Sequence, residues 1–415
     1  MSRTRGGAAR AALPLLLGIA VAVLFACSGA PPRRPSEEPQ PPPPPKPPAV
    51  SERPAPAPAP PRPSDLAEAR FLRVRIEGGP GEVALAADTV RAWDADGRLA
   101  AEASGNVSLG AVGDRVRFGG TRLLGGSVDV AGVPELRVGV RKVGGRVRVT
   151  ARNGQLLVVA VIPMETYVAA VVSRESPPLF HREALAAQAI ATRTYAVDAM
   201  RKPRDPAYDV VGSVEDQVYE GTDNVGEVFR AAAAETRGMV LMYRGEPART
   251  VFHSTCGGRT ETAADAWGKD VPYLRSIICE DCSESPAYRW KYRMSAAEGR
   301  RVARAMGIPA AGDLSISIAG LTSTGRAARV RILSGGVSRE AQAAEFRRIA
   351  GYSKVRSLWM TIAPAADGWL ITGRGYGHGV GMCQFGANRM AKSGKGFREI
   401  LARYYPGTAL SKEAP

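Results

Sequence analysis

Residues 164–197 read "METYVAAVVSRESPPLFHREALAAQAIATRTYAV" and form the first clearly helical stretch of the chain. The pair Pro177-Pro178 interrupts it, because proline cannot continue a helix and restricts the residue before it. From about Arg182 to Met200, small and apolar residues recur on one side at helical spacing. The stretch therefore predicts one helix before the proline pair and a second helix after it.

The sequence before this stretch is typical of β-strands. From residue 71 to 162, apolar residues alternate with basic ones between Gly, Asn-Gly and Asp-Gly turns. The later sequence predicts helices at 228–238, 295–306 and 340–349 and strands near 314–318 and 328–334. We therefore predict an α+β protein, with a β-rich N-terminal subdomain at 66–162 and a mixed α/β domain at 163–412.

The first 27 residues resemble the signal peptide of a bacterial lipoprotein. Three arginines precede an apolar run of 16 residues, which is shorter than the ~20 that a membrane-spanning helix needs. The run ends in "LFAC", so we predict that Cys27 is cleaved to the N-terminus and lipidated. Ser28 favours the periplasmic face of the outer membrane. The alternative is an ordinary secretory signal with an incidental cysteine.

Residues 28–65 are dominated by proline and predict a disordered linker. Such a segment has too little apolar surface to form a core, and its prolines favour an extended polyproline conformation of ~3.1 Å per residue. It would hold the folded part of the protein away from a membrane anchor.

The chain is strongly basic, with a formal net charge of +16. Residues 1–65 contain eight Lys or Arg and four Asp or Glu, a net +4, so +12 lies on the remainder. A basic excess is typical of nucleic-acid binding, but an export signal argues against nucleic acid as a partner. Cell-wall glycan that carries lactyl carboxylates is the polyanion that we expect. The alternative is an arginine-rich proteome with no specific partner.

A glycine-rich stretch, "GRGYGHGVGM", occupies residues 373–382. No Lys-Ser/Thr pair closes it, so it is not a phosphate-binding loop. In an extended chain, its alternating glycines would form a bare face that suits close approach by another backbone or a sugar ring. The alternative is tight internal packing, with His378 held by a hydrogen bond.

Two short motifs supply four potential metal ligands, His253 and Cys256 in one and Cys279 and Cys282 in the other. Three sulfurs and one nitrogen make a closed structural zinc set. We expect this loop to be stapled by zinc. Because exported proteins fold under oxidising conditions, a disulfide from Cys256 to Cys279 or Cys282 is the alternative.

Three blocks together resemble the stage II sporulation protein D / LytB amidase-enhancer family. They are residues 165–197, residues 251–268 and the segment "GRGYGHGVGMCQFGANRMAKSGKGFREILARYYPGT" at 373–408, in the order of the family. The resemblance implies a mixed α/β catalytic domain that acts on peptidoglycan. One branch of the family is a lytic transglycosylase that cuts glycan strands without stem peptides, and the other stimulates a cell-wall amidase.

The resemblance also implies a catalytic residue. The family's glutamate lies in a Glu-Met-Pro motif, and the matching residue here is Glu175, although Ser176 replaces the methionine. Cys383 stands where the family often has serine, so this chain lacks the hydroxyl group that a serine would supply at that position. His253 and the three cysteines match a zinc-bearing subset of the family.

One carboxylate suffices for a lytic transglycosylase, because the C6 hydroxyl of muramic acid replaces the water that other glycosidases activate with a second acid. Glu175 would have to be protonated, so its pKa must be raised by an apolar setting, for which Pro177, Pro178, Leu179 and Phe180 are candidates. The alternative is an acid that caps the following helix.

The remaining candidates are substrate-binding residues: Gln188, Arg193, Tyr376, His378 and Gln384. Arg193 would steer a muramic carboxylate, fix Glu175, or form a structural ion pair. The predicted function is a peptidoglycan lytic transglycosylase. A non-catalytic amidase enhancer or glycan-binding protein of the cell wall is the alternative.

Overall fold

The computed structural model describes residues 70–79, 81–279, 282–310 and 312–412. The predicted signal peptide, Cys27 and the linker at 28–65 lie outside these residues. Among the described residues, no helix combines the length and the apolar character needed to cross a membrane.

The N-terminal part is a β-structure, as predicted. Its strands are β1 (Phe71–Gly79), β2 (Val83–Trp93), β3 (Leu99–Val112), β4 (Arg115–Phe118), β5 (Arg122–Leu123), β6 (Ser127–Val133), β7 (Leu136–Val138), β8 (Arg141–Val143), β9 (Arg146–Arg152) and β10 (Gln155–Pro163). With β11 (Val210–Val211) they form one sheet whose main path is β11-β1-β10-β9-β6-β2-β3-β4-β5, and β7 and β8 attach beside β2.

The strands follow the alternation in the sequence. In β6 every second residue is buried, which places Val128 and Val130 on the core face and Ser127 and Asp129 on the other face. Between β9 and β10, Asn153 and Gly154 both have positive φ (51° and 72°). This is the backbone of a two-residue hairpin, the structure that the Asn-Gly pair predicts.

The helices begin where the quoted stretch predicts. Proline at residue 163 precedes α1 (Met164–Glu175), and α2 (Arg182–Arg201) follows the proline pair. Together with α3 (Glu227–Glu235), these helices share one hydrophobic core with the large sheet. The expected boundary between residues 162 and 163 therefore falls at the junction of β10 and α1 but does not separate two cores.

The remaining elements complete an α+β architecture. They are β12 (Val240–Tyr243), β13 (Glu246–Pro247), β14 (Phe252–His253), α4 (Ala263–Trp267), β15 (Trp290–Ser295), α5 (Ala296–Ala305), β16 (Leu314–Leu321), β17 (Ala327–Ser334), β18 (Val337–Gln342), α6 (Ala343–Ala350), β19 (Met360–Ala365), β20 (Gly368–Gly373), β21 (Met382–Cys383), α7 (Gln384–Lys392), α8 (Phe397–Tyr404) and β22 (Ala409–Ser411).

Residues 290–371 build a hydrophobic core of their own. Trp290, Trp369 and Phe346 are buried in it, between the sheets β15-β20-β19 and β16-β17-β18 and the helices α5 and α6. Trp290 pairs with Gly373 in the antiparallel β15–β20 ladder. The chain therefore leaves the mixed α/β domain and returns to it at neighbouring positions. We call this segment the inserted module, because it is an insertion whose two ends lie side by side.

A third core surrounds α7 and α8. It includes Met382 of β21, Tyr404 of α8 and part of α2. The parallel pair β14–β21 places Phe252 opposite Met382 and His253 opposite Cys383. This pairing brings two sequence motifs that are far apart in the chain to one place.

Candidate active site and cysteine cluster

Glu175 is the last residue of α1, and its carboxylate does not cap α2. Ser176 is the C-cap of α1, with its amide bonded to the Val172 carbonyl. The first turn of α2 has its own acid, Glu183, and its N-cap is His181. The capping alternative for Glu175 is therefore wrong. At the C-terminal end of α1, the helix dipole disfavours a negative charge.

The carboxylate of Glu175 is half-buried and held by two donors. The backbone N–H of Val218 lies 3.3 Å from its Oε1, and the side chain of Gln384 also hydrogen bonds to it. Burial raises the pKa of Glu175 above its usual value, while the bonds from Val218 and Gln384 act in the opposite direction. The net shift favours the protonated acid.

The expected apolar walls differ from the observed surroundings. Leu179 is 91% exposed, and Phe180 packs edge-on against Phe385 at a centroid distance of 5.1 Å. Helix α1 and the segment around Gln217 provide the enclosure instead. The hydroxyl of Tyr167 donates to Gln217 Oε1 at 2.9 Å inside the core. Gln217 and Val218 lie outside the three blocks, and nothing distinguished Tyr167 within the first block, so sequence reasoning missed all three.

Gln188 and Gln384 are buried and form a relay behind the acid. Gln384 Nε2 donates to Gln188 Oε1 at 3.4 Å, and Gln188 Nε2 donates to Thr192 Oγ1 at 3.4 Å. Gln188 is only 1% exposed. The two amides therefore orient Glu175 from the inside, whereas a glycan chain on the surface would meet neither side chain directly.

Arg193 forms the structural ion pair. Its side chain is 2% exposed, and it holds Glu165 through two bonds of 2.9 Å and 2.6 Å. The same guanidinium donates to the carbonyls of Ala233 and Met239, both at 3.1 Å. A substrate contact by Arg193 is excluded, because these partners occupy the guanidinium in the interior. It joins α1 and α2 to the end of α3.

The glycine-rich stretch is not an extended strand. Gly375, Gly377, Gly379 and Gly381 all have positive φ, between 70° and 112°, which glycine adopts without strain. A Cβ at Gly377 would lie 2.7 Å from His253 Cβ, and one at Gly381 would lie 2.1 Å from the Val251 carbonyl oxygen. The bare face therefore packs against the chain around β14, and the alternative of internal packing is correct.

His378 is held on both ring nitrogens. Its Nε2 donates to the Phe252 carbonyl at 2.8 Å, and its Nδ1 accepts from the Val380 N–H at 3.1 Å. Burial lowers the pKa of His378 to about 4. The imidazole is thus neutral near pH 7 and fixes the glycine-rich stretch against β14. Neither ring nitrogen of His378 is therefore free to form a hydrogen bond with substrate.

Exposed aromatic rings flank this stretch. Tyr376 is 36% exposed and lies 6.0 Å from the Arg356 guanidinium. Trp267, at the end of α4, is 50% exposed, and its ring centroid lies 5.3 Å from that of His378. Sequence reasoning named Tyr376 but missed Trp267, although Trp267 lies within the second of the three blocks, residues 251–268.

Backbone contacts connect these rings with Glu175. Tyr376 and Thr255 exchange two hydrogen bonds, of 2.7 Å and 3.0 Å. The preceding carbonyl, that of Ser254, accepts from the Phe385 N–H at 3.1 Å. Phe385 directly follows Gln384, the donor to Glu175. The acid and the aromatic surface thus belong to one hydrogen-bonded unit.

Four buried cysteines converge beside this unit. The Sγ atoms of Cys256, Cys279, Cys282 and Cys383 all lie within 4.8 Å of one another. All four are free thiols, and the Cys256–Cys282 Sγ separation is 3.5 Å, beyond the ~2.05 Å of a disulfide bond.

The expected fourth member, His253, is not in this group. Its Nδ1 lies 3.0 Å from the Val380 carbonyl oxygen, and Cys383 of the neighbouring strand takes the place beside the other sulfurs. The expected set is therefore corrected at one position. The sequence contained a signal, because Cys383 stands where the family often has serine. Cys383 is far in the chain from the other three cysteines, so the sequence did not indicate that it lies beside them.

Comparisons with known proteins agree with the resemblance in the sequence. A family profile described as "Stage II sporulation protein" matches residues 152–243. Stage II sporulation protein D of Bacillus subtilis is 32% identical over 268 residues, which cover 60% of this chain and 75% of that protein. An uncharacterized protein of Brachyspira hyodysenteriae is 34% identical over 62% of this chain and 69% of its own length. The Amidase enhancer of Bacillus subtilis is 27% identical over 58% of this chain and 40% of that protein.

Proposed function

This chain belongs to the stage II sporulation protein D family, and from that premise we propose that it is a peptidoglycan lytic transglycosylase with Glu175 as its acid and base. The observation that carries the proposal is the half-buried carboxyl of Glu175, whose pKa is raised by burial. A single acid fits a reaction in which the substrate supplies its own nucleophile.

The proposed reaction uses Glu175 twice. The protonated carboxyl gives its proton to the glycosidic oxygen as the bond from that oxygen to C1 of muramic acid breaks. The resulting carboxylate then takes the proton of the C6 hydroxyl, whose oxygen bonds to C1 and closes the 1,6-anhydro ring. Glu175 ends protonated, and no water is consumed. Val218 and Gln384 stabilise the carboxylate between the two steps.

We propose that the aromatic rings beside the glycine-rich stretch bind the glycan. A sugar ring stacks on an exposed aromatic face, which Tyr376 and Trp267 provide. Arg356, beside Tyr376, is suited to the lactyl carboxylate of muramic acid. The carboxylate is uncovered when the stem peptide is absent, so this surface favours stem-peptide-poor strands. Three residues beneath this surface support its backbone and do not contact the glycan; they are Gln188, Gln384 and His378.

The cysteine cluster is proposed to hold a structural zinc ion. The thiols of Cys256, Cys279 and Cys282 are buried and close enough to share one ion. Bound zinc would cross-link the loops between β14 and β15. A complete shell of protein ligands leaves no open position for a catalytic water, so the ion has no place in bond breaking.

A second candidate function is supported by the similarity to the Amidase enhancer. In that case the aromatic surface would bind glycan and recruit a cell-wall amidase, and Glu175 would be a structural residue. Ser176, which replaces the methionine of the family motif, favours this candidate because it changes the residue directly beside the acid.

The proposed location is the cell envelope, with Cys27 as lipid anchor on the periplasmic face of the outer membrane. The lipoprotein-like signal and the proline-rich segment support it. Peptidoglycan is then within reach of a protein tethered by an extended linker.

One experiment separates the two functions. Denuded glycan strands are incubated with the purified protein or with Glu175→Gln, and the products are analysed by mass spectrometry. A transglycosylase releases fragments with 1,6-anhydromuramic ends in the wild type alone. If neither protein releases such ends, but both accelerate a purified cell-wall amidase to the same extent, the amidase enhancer is the correct function.

A further inference from the structure

We infer that Cys383 is the fourth ligand of the metal centre, so that the centre is a zinc tetrathiolate whose last sulfur comes from the N-cap residue of α7. The inference about the ligand depends on the four cysteines alone. A second part, which rests on the proposed function, is that the centre positions Gln384 and through it the acid Glu175.

The sulfur positions fit one tetrahedral ion. At a zinc–sulfur distance of about 2.3 Å, the sulfurs of a tetrahedral site lie ~3.8 Å apart. The four Sγ atoms lie within 4.8 Å of one another, and the Cys256–Cys282 pair is 3.5 Å apart. All four side chains are at most 1% exposed. Only small movements would bring every sulfur to bonding distance.

Two backbone N–H groups point at the sulfur of Cys383. Its Sγ accepts from the N–H of Gly386 at 3.4 Å and from the N–H of Cys256 at 3.3 Å. Cys383 is also the N-cap of α7, a helix of nine residues, whose positive end favours a negative sulfur. Such donors disperse the excess negative charge of four thiolates around a divalent ion.

Close packing fixes the sulfurs in this arrangement. A Cβ at Gly386 would lie 2.6 Å from Cys279 Sγ, so α7 approaches that sulfur as closely as a glycine allows. The hydroxyl of Tyr404 lies 3.1 Å from the same Sγ. Arg326 of the inserted module donates to the Cys256 carbonyl at 3.0 Å and so holds the loop from the opposite side.

His253 is the competing ligand. Its Nε2 is buried without a hydrogen-bond partner among the described residues, which is the state of a nitrogen that could bind a metal. Donation from Nδ1 to the Val380 carbonyl leaves the lone pair on Nε2, as in a metal-binding histidine. However, His253 does not join the group whose ligand atoms share one position. The sulfur of Cys383 fills that position instead.

The centre connects directly with the acid. Gln384 follows Cys383 in the chain and is the first residue of α7, and its side chain bonds to both Glu175 and Gln188. A metal bond to Cys383 would therefore fix the start of α7 and the amide that holds the carboxylate. Cys383 would be a positioning residue, with no contact to substrate.

The ligand set is tested by spectroscopy on the full chain. Zinc content is measured, and the first shell is read by X-ray absorption at the zinc edge. We expect one zinc per chain with four sulfurs at about 2.3 Å. Three sulfurs and one nitrogen would assign His253 and overturn the inference, as would a metal-free protein with a mapped disulfide among the four cysteines. This result does not depend on any enzymatic activity.

Two variants provide the matched comparison. His253→Gln should keep the four-sulfur spectrum, whereas Cys383→Ser should lower zinc affinity on the order of 100-fold, since even the loss of outer partners costs 10–100-fold. The reverse pattern would contradict the assignment. If Cys383→Ser does not fold, the wild-type spectrum still decides.

The positioning role needs a kinetic readout. In Cys383→Ser, kcat for glycan cleavage should fall at least about tenfold with little change in KM, because Glu175 is misoriented while the aromatic surface persists. Unchanged kcat in a zinc-depleted variant would refute positioning and leave the ligand set intact. A wild type that binds zinc through four sulfurs but cleaves no glycan would refute the proposed function alone.

Discussion

Gln384 and Glu175 are joined by a hydrogen bond, although they belong to blocks at opposite ends of the mixed α/β domain. The amide lies in the first residue of α7 and the carboxylate at the last residue of α1. The end of α1 and the start of α7 are fixed by two different cores. The bond between Gln384 and Glu175 therefore forms only when both parts of the domain have assembled. The acid acquires its environment only when both blocks are in place.

Glu175→Gln should abolish glycan cleavage, with a loss on the order of 10²-fold or more, because the reaction then lacks its acid and base. Binding of denuded glycan should change little, since the amide has nearly the same shape. Release of 1,6-anhydro ends and glycan co-sedimentation are measured side by side. Glu183→Gln, at the start of α2, is the control that should keep full activity. Full cleavage by a folded Glu175→Gln protein would exclude this residue as the acid.

The same substitution should stabilise the protein in a pH-dependent way. The pKa of Glu175 is raised above the 4.5 of a free glutamate, so the folded protein binds this proton more tightly than the unfolded chain. Stability contributed by the protonated acid is complete below pH 4.5 and is lost as the pH rises through the folded pKa. We expect Tm of Glu175→Gln to exceed that of the wild type at pH 7 and the difference to shrink toward pH 4. A constant difference over this range would show that burial does not raise the pKa.

Gln384→Ala should move the pH profile of cleavage upward. The Gln384 bond lowers the pKa of Glu175, so its loss raises that pKa and extends activity of the protonated acid to higher pH. We also expect kcat to fall about tenfold, because the carboxyl loses its orientation. The rate is recorded against pH for both proteins. Gln155→Ala, at an exposed position of β10, is the matched control. A profile shifted to lower pH would contradict the assigned hydrogen bond.

Arg193→Met should destabilise the fold by about 3–5 kcal/mol, because it leaves Glu165 without its partner in a mostly buried site. Urea denaturation followed by circular dichroism measures the free energy of unfolding. Arg98→Met is the comparison, since the Arg98 side chain is 80% exposed and its pairing with Asp96 contributes little. Intact stability combined with lost glycan binding would restore Arg193 as a substrate-binding residue.

Cys27→Ser should release the protein from membranes into the soluble part of the envelope, because the lipid attachment is lost. Fractionation followed by immunoblotting measures the distribution, and mass spectrometry of the wild type identifies the mature N-terminus. Cys383→Ser, which leaves the signal intact, should remain in the membrane fraction. A wild-type N-terminus at any residue other than a lipidated Cys27 would disprove the anchor.

The local patterns of the sequence were sufficient for much of the fold. The alternation in 71–162, the Asn-Gly turn and the proline pair after α1 each depend on neighbouring residues, so the predicted strands and helices are confirmed. Of the two interpretations of the glycine-rich stretch, the extended chain with a bare face is wrong and internal packing is correct. Its conformation is determined by β14, against which it packs, and no local pattern contains that partner.

Site residues that belong to a sequence motif could be predicted. Site residues that come together only through tertiary contacts could not. Glu175 and three of the clustered cysteines follow from motifs, but the fourth cysteine comes from β21, which a parallel pairing brings beside β14. Gln188 and Arg193 do lie on the helix predicted after the proline pair, yet both are buried beneath other elements. Whether a polar helical residue meets substrate depends on what packs over it.

The pairing of Trp290 with Gly373 has a consequence for the order of folding. Cys282 and Cys383 are about 100 residues apart in the chain, but only about 18 of those remain in the loop once the inserted module has joined its own ends. Closing the shorter loop costs ~1.5 kcal/mol less entropy. A module with its own core can form before the cysteines meet. Once formed, it holds the two ends of the insertion together and so brings Cys383 close to the other three cysteines.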